Sequence, residues 1–469
     1  MRPASTPPSG PAPRHKPKPR RAGAWARRGG RIASLLDSAR SQLWPTPLTA
    51  IIVAVAAGQL LPYLDLEVQD KVQPMVSAWI FGGGPTAASN LLQTIAGAMI
   101  TVTALTFSLT VVTLQLASSQ FSPRLLRTFT RDRFVHGTLA LFLATFAFAL
   151  TVLRSIRVSS AINEGFVPKI SISVAFLLAV ASVLALVGFL SHLARQIRVE
   201  SMLRTVIDEA ETSLGRIFPD GEKPDALPAE SVFRCGPGFR PVESTSSGFL
   251  LTVDSAAVCA AAAEAGAVVV FEAAPGDSLV RGVPFARAGS AAGGRLDNEA
   301  FAGLSHAVVE SIGIGFERTS VQDATLGLQQ LLDIACRALS PGINDGTTAV
   351  HAIGHISSLL CGLADRSTGS YLVRDDDGTA HVLVKRPELT DMLDIAMSQL
   401  LRYAMGDPRA AERTIKMLRE LAWVDPAGML DEPLEVHSRR SAQALLESPL
   451  NEAETGRLLA LLDTERPST

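Results

Sequence analysis

The sequence predicts a membrane α-helical bundle of four transmembrane helices followed by a cytoplasmic α+β domain. Three observations carry that expectation. Hydrophobic residues make up 47% of the 469 residues, with a mean hydropathy of +0.25, which is high for a soluble chain. Four stretches in the first half approach the roughly 20 apolar residues that cross a bilayer. Beyond Met202 the pattern changes to alternating and helical segments bounded by Gly and Pro, the signature of a mixed soluble domain.

Taken in order, residues 1–44 form a basic tail, "MRPASTPPSGPAPRHKPKPRRAGAWARRGGR" and its continuation, rich in Pro, Ser, Gly and Arg. Such composition cannot bury enough apolar surface to fold, so the tail is expected to be disordered. It has no apolar signal-peptide core and is expected to stay attached. Its arginines suit anionic lipid headgroups, and with no interleaved aromatic residue beyond Trp25 in the first forty or so positions it is not read as a nucleic-acid binder.

The transmembrane domain, 45–198, holds spans near Pro47–Leu64, Leu91–Leu116, Val135–Leu153 and Ile170–Leu193. Arg and Lys collect on the cytoplasmic side of a membrane. The tail is basic; the first loop carries Asp65, Glu67 and Asp70 against Lys71; the second carries Arg124, Arg127, Arg131 and Arg133 against Asp132; and Arg195, Arg198 and Arg204 follow the last span. The third loop, with Arg154, Arg157 and Lys169, runs against the trend. Both termini are therefore expected in the cytoplasm.

The second span is rich in hydroxyls. At 100° per residue, Thr103, Thr106, Thr110 and Thr113 fall on one face, while Thr101, Ser108 and Gln115 fall on the opposite face. Each hydroxyl can bond back to a carbonyl of the preceding turn, which makes single Ser or Thr residues inexpensive in a membrane helix. Small polar residues also let helices approach closely and bond to one another, so two polar faces suit a homo-oligomer. The third possibility is functional, with the threonine stripe lining a water-filled path. Pro123 should break the helix near the cytoplasmic interface, where Gln120, Arg124 and Arg127 would form a mouth that attracts anions or anchors on lipid phosphates. The spans as drawn contain no Asp or Glu, which argues against a carboxylate-coupled pump.

From 199 to 469 the chain reads as α+β. A helix is expected over Val199–Ile217, then strands in "FRPVESTSSGFLLTVD" and "GAVVVFEAAPGDSLVRGVPFARAG", with Gly276 and Gly282 in tight turns. "PGDSLVRGVPFARA" resembles one strand-turn-strand half of a biotinyl or lipoyl-type hammerhead. It lacks a carrier lysine, so no attached cofactor is expected. Helices follow over Asn298–Gly313, Gln322–Leu339, Thr347–Leu363, Glu388–Met405 and Arg409–Leu421, interrupted by the hairpin "SYLVRDDDGTAHVLVKR". In "ALSPGIND" Pro341 and Gly342 stop one helix and Asp345 caps the next, leaving the turn at Asn344 and Asp345 as a capping motif or a contact site. His351 and His355 share a helix face but have no third ligand or HExxH glutamate, so no metal is expected. Cys235, Cys259, Cys336 and Cys361 have no metal spacing and read as small core residues in a reducing compartment.

"TVTALTFSLTVVTLQLASSQFSPRLLRTFTRDR", "LSHLARQIRVE" and "ALSPGIND" resemble the bacterial predicted membrane proteins grouped as domain of unknown function 2254. The resemblance runs from about Leu91 to near the C-terminus. It implies the inner membrane and the domain layout but no activity. The chain departs from the family pattern at Gly346, where the pattern has Pro, and at Ala140, where it has Gly.

No GxSxG, P-loop, dinucleotide fingerprint or Ser-His-Asp constellation is present, so the chain is not read as an enzyme. The reading is an oligomeric inner-membrane protein providing a path for ions or small solutes, with a regulatory soluble domain. The alternative is a membrane-anchored sensor or scaffold whose soluble domain binds a ligand or protein partner.

Overall fold

The computed structural model describes residues 45–68, 81–120, 132–157, 166–196, 199–220, 235–425 and 428–463. The basic tail and the loop arginines Arg124, Arg127 and Arg131 lie outside these residues. The chain divides into two compact units, residues 1–110 with 127–189, and residues 111–126 with 190–469.

Four helices start in the first unit: α1 (Pro45–Val68), α2 (Pro85–Gln120), α3 (Arg133–Leu153) and α4 (Lys169–Gln196), with residues 111–120 of α2 and 190–196 of α4 assigned to the second unit. Each contains a window long and apolar enough to cross a membrane. Ala88, Leu92, Ile95, Ala96 and Met99 of α2 form a core with Phe142, Phe148, Ala149 and Val152 of α3, Ile172 and Ala175 of α4, and Ala54 of α1. Large side chains outside that core, such as Phe107, Leu177 and Leu184, are exposed, as residues facing lipid must be. Gly58 lets α1 lie against α3. A Cβ there would sit 2.9 Å from the Thr151 Cβ, closer than carbon atoms tolerate.

α1 runs four residues past the expected span, and Asp65 therefore stands on a helix instead of in a loop. It is also the last residue of the apolar window and is 1% exposed. The expectation that the spans hold no carboxylate is corrected accordingly: Asp65 belongs to one, placed there by what it bonds to.

The second unit contains α5 (Val199–Ile217), which buries Met202, Leu203, Val206, Ile207, Ala210 and Leu214 at helical spacing. An α/β layer follows. Strands β1 (Arg240–Glu243), β2 (Gly248–Val253), β3 (Ala267–Phe271), β4 (Ser278–Leu279), β5 (Pro284–Ser290), β6 (Ile312–Gly315), β7 (Tyr371–Arg374) and β8 (Ala380–Val384) make two sheets, in the orders β1-β5-β3-β8-β7 and β4-β2-β6. The pairing of β3 with β8 is parallel and joins segments more than a hundred residues apart. Every residue of β3 is buried, as expected of a strand with both neighbours and both faces covered.

The strands flanking the PGD turn do not form a hairpin. β4 pairs with β2 and β5 pairs with β1 and β3, so the expected strand-turn-strand unit is split between the two sheets. The glycines hold the expected turns, with φ +103° at Gly276 and +77° at Gly282. At Gly276 a side chain is also excluded sterically, since a Cβ would lie 2.5 Å from the buried Asp323 carboxylate.

Helices α6 (Ser255–Glu264) and α7 (Asn298–Glu310) pack with these strands through Val258, Cys259, Ala262, Leu304 and Val308. The remaining helices are α8 (Leu326–Ala338), α9 (Gly346–Cys361), α10 (Leu389–Tyr403), α11 (Pro408–Val424), α12 (Asp431–Leu446) and α13 (Glu452–Leu462). Gly327 brings α8 onto α5, where its missing Cβ would lie 2.3 Å from the Ala210 Cβ. α6, β6, α12 and α13 are additions to the elements expected from sequence. Cys259 is buried and Cys336 and Cys361 half-buried, but Cys235 is exposed and not a core residue.

Candidate functional site

The α2 helix has one inward and one outward polar face. Thr106 and Thr113 are buried, Thr103 and Thr110 are half-buried, and Thr101, Ser108 and Gln115 are exposed. The exposed hydroxyl of Thr101 donates to the Gly97 carbonyl at 2.9 Å. On the inward face, the Thr103 hydroxyl donates to the Met99 carbonyl at 2.7 Å and the Thr110 hydroxyl to the Thr106 carbonyl at 2.8 Å. Both follow the back-bonding expected of threonine in an apolar helix. Thr106 departs from it. Its side chain is 0% exposed, yet its Oγ1 has no hydrogen-bond partner among the described residues. A buried, unpaired hydroxyl costs about 1–3 kcal/mol, so it asks for an explanation. Gln120 is the last residue of α2, and Arg124 and Arg127 lie outside the described residues.

Two further polar clusters in the helical unit were not foreseen. Asp65 accepts from the Ile170 N–H at 2.8 Å, the Ser171 N–H at 3.0 Å and the Ser171 hydroxyl at 2.7 Å. It thus caps α4 from another helix, with negative charge where the helix dipole is positive. One sequence signal pointed to it: α4 follows Pro168, which has no side-chain oxygen to cap with, so the donors of its first turn needed an acceptor from elsewhere. The second cluster joins α3 to α4. The Thr145 and Ser182 hydroxyls lie 3.2 Å apart, both buried, while each also bonds a backbone carbonyl one turn back, Leu141 and Leu178 respectively, at 2.8 Å.

In the second unit, Asn344 and Asp345 form the turn between α8 and α9. Asn344 has φ 51°, a left-handed conformation that Asn tolerates better than most residues. Asp345 caps α9, accepting from the Thr348 N–H at 3.1 Å and its hydroxyl at 2.5 Å, and those bonds hold its carboxyl below the usual range. Capping accounts for this carboxylate. His351 is exposed on α9, and burial, reinforced by the nearby His351 charge, lowers the pKa of His355 one turn on. No group of three metal-ligating side chains occurs among the described residues.

Comparison with known proteins places these features in a wider set. The family described as Predicted membrane protein (DUF2254) matches residues 40–420. An uncharacterised protein of Mycobacterium bovis is 30% identical over 409 residues, covering 85% of this chain and 75% of the relative. Uncharacterised proteins from two strains of Mycobacterium tuberculosis show the same identity and coverage. No solved structure matches.

Proposed function

The chain belongs to the family of predicted membrane proteins DUF2254, and from that premise we propose that it forms a path across the bacterial inner membrane for small ions or solutes, as a homo-oligomer with both termini in the cytoplasm. The observation that carries the reading is the division of the α2 faces. Thr103, Thr106, Thr110 and Thr113 are turned away from the lipid-facing surface, while Phe107, Val111 and Val112 are exposed. A stripe of hydroxyls held inside an apolar helical unit can replace part of an ion's hydration shell, which hydrocarbon cannot do. Ser108 and Gln115 are exposed on the outward face of the same span, and polar side chains there favour hydrogen bonding to a second copy over contact with lipid, which is the ground for proposing an oligomer.

The test is cysteine substitution at Thr103, Thr106, Thr110 and Thr113, followed by labelling of the intact, membrane-embedded protein with a small water-soluble thiol reagent. Labelling of the four positions, with protection at Leu105 and Phe107, is the expected result. Uniform protection of all six removes the water-filled path. The anchored sensor or scaffold would then take its place. That second reading draws support from Phe316, which directly follows β6 and is 91% exposed, an unusual position for an aromatic ring without a partner.

A further inference from the structure

The hydrogens of two inward hydroxyls, Thr103 and Thr110, are already committed, and that bears on which ion such a path would take. A hydroxyl has one hydrogen and two lone pairs. Thr103 and Thr110 give their hydrogens to the Met99 and Thr106 carbonyls, so what each leaves for a ligand is oxygen lone pairs. Thr138, about one and a half turns into α3, does the same with the Phe134 carbonyl at 2.8 Å. At Thr145 and Ser182 three close contacts share two hydrogens, since both hydroxyls reach a carbonyl and also each other. These back-bonded hydroxyls therefore offer acceptors in excess of free donors.

Thr106 is the exception that points to a ligand. Its Oγ1 is buried and unpartnered on the stripe, between two hydroxyls that present lone pairs. No Lys or Arg lies inside the apolar stretch of α2, and Asp65, the one carboxylate within the four apolar windows, is taken up by the first turn of α4. Anions need several donors or a positive charge, and of Thr103, Thr106 and Thr110 only Thr106 keeps an uncommitted hydrogen. Divalent cations hold their water tightly and are bound through carboxylates. A monovalent cation, by contrast, is coordinated by neutral oxygens alone.

We infer that the inward threonine face of α2 binds a dehydrated monovalent cation, with the Thr106 hydroxyl as a direct ligand oxygen. The inference rests on the permeation reading and adds its selectivity. It also separates the interior from the loop arginines, whose charge would favour anions at a mouth.

The experiment uses the full-length protein reconstituted in liposomes under a potassium chloride gradient. The reversal potential should lie towards the potassium equilibrium value, with potassium preferred over chloride by about tenfold or more, and magnesium should not carry current. Thr106→Val should cut potassium flux by about tenfold, Thr106→Ser should retain it within about twofold, and Thr101→Val on the outward face should leave it unchanged. Because selectivity is read on the wild type, the inference stays testable even where Thr106→Val fails to fold. Chloride-selective or unselective flux overturns the cation site while leaving a path in place. Potassium flux that survives in a folded Thr106→Val variant removes Thr106 as the ligand. Absence of flux of either ion overturns both the site and the permeation reading.

Discussion

The guanidinium of Arg386 donates to the Ile217 carbonyl at 2.6 Å, closing the C-terminus of α5 with a residue 169 positions later in the chain. The same group donates to the Gly369 carbonyl at 3.0 Å and lies over the rings of Tyr371, at 4.3 Å, and Phe218, at 5.0 Å. Arg366 adds a second lock, donating to the Phe218 carbonyl at 2.7 Å. The last carbonyls of a helix have no partner within it and carry the negative end of its dipole, so two cations there satisfy both needs. Arg386→Lys keeps the charge but cannot reach two carbonyls while stacking on two rings. The expected cost is about 2 kcal/mol. Hydrogen exchange of the amides following Leu214 should accelerate in this variant; unchanged exchange would show the clamp to be idle.

Asp65 performs the equivalent service at the start of α4. Removing it in Asp65→Ala leaves the Ile170 and Ser171 N–H groups and the Ser171 hydroxyl without their acceptor in a place that water does not readily reach. The loss should amount to about 1–3 kcal/mol. Asp65→Asn keeps one acceptor oxygen and should lose less. Thermal unfolding in detergent would rank wild type above Asn and Asn above Ala. Equal stability of wild type and the alanine variant would contradict the cap.

His437 should make the soluble unit acid-sensitive. It is 1% exposed on α12, and burial pushes its pKa below the ordinary 6.5, against the opposing pull of the Asp394 carboxylate 2.8 Å from Nε2. Just below pH 6.5 the unfolded chain therefore binds more protons than the folded one, and stability that is complete above that value declines as pH falls. His437→Gln should flatten the stability profile below about pH 6.5. His355, lowered in the same direction, leaves a slope of the same sign. An unaltered acid limb in denaturant titrations would exclude His437 as a source.

The four thiols should differ in reactivity. Burial, assisted by the Asp333 charge, pushes the Cys336 thiol up to about 11, so at pH 8 only about one in a thousand is the reactive thiolate. Cys259 is buried, with its thiol raised by burial first, whereas Cys235 is exposed. Maleimide treatment of the folded protein should label Cys235 well before Cys259 and Cys336, with the latter two catching up after denaturation. Labelling of Cys336 as fast as Cys235 in the native protein would count against its half-buried placement.

The local chemistry of the chain determined which segments become helices and where most of them stop. Four long apolar windows, the helical spacing of Met202 to Leu214, and caps such as Asp345 and Asp407 are written in neighbouring residues. The two faces of α2 were legible for the same reason, because a 100° period decides which side chains share a side. What escaped had no local contrast. In α6, "SAAVCAAAAE", alanines on every face leave no apolar stripe to detect. β6 is four residues that become a strand by pairing with β2. The parallel pairing of β3 with β8, the capping of α4 by Asp65 and the clamping of Ile217 by Arg386 each join groups at least a hundred residues apart. Sequence periodicity reports a side chain's direction around its own helix or strand. Only the tertiary structure decides what stands opposite, and so which carboxylate is a cap, which glycine is a contact, and which of several threonines on one face is left with an unspent hydroxyl.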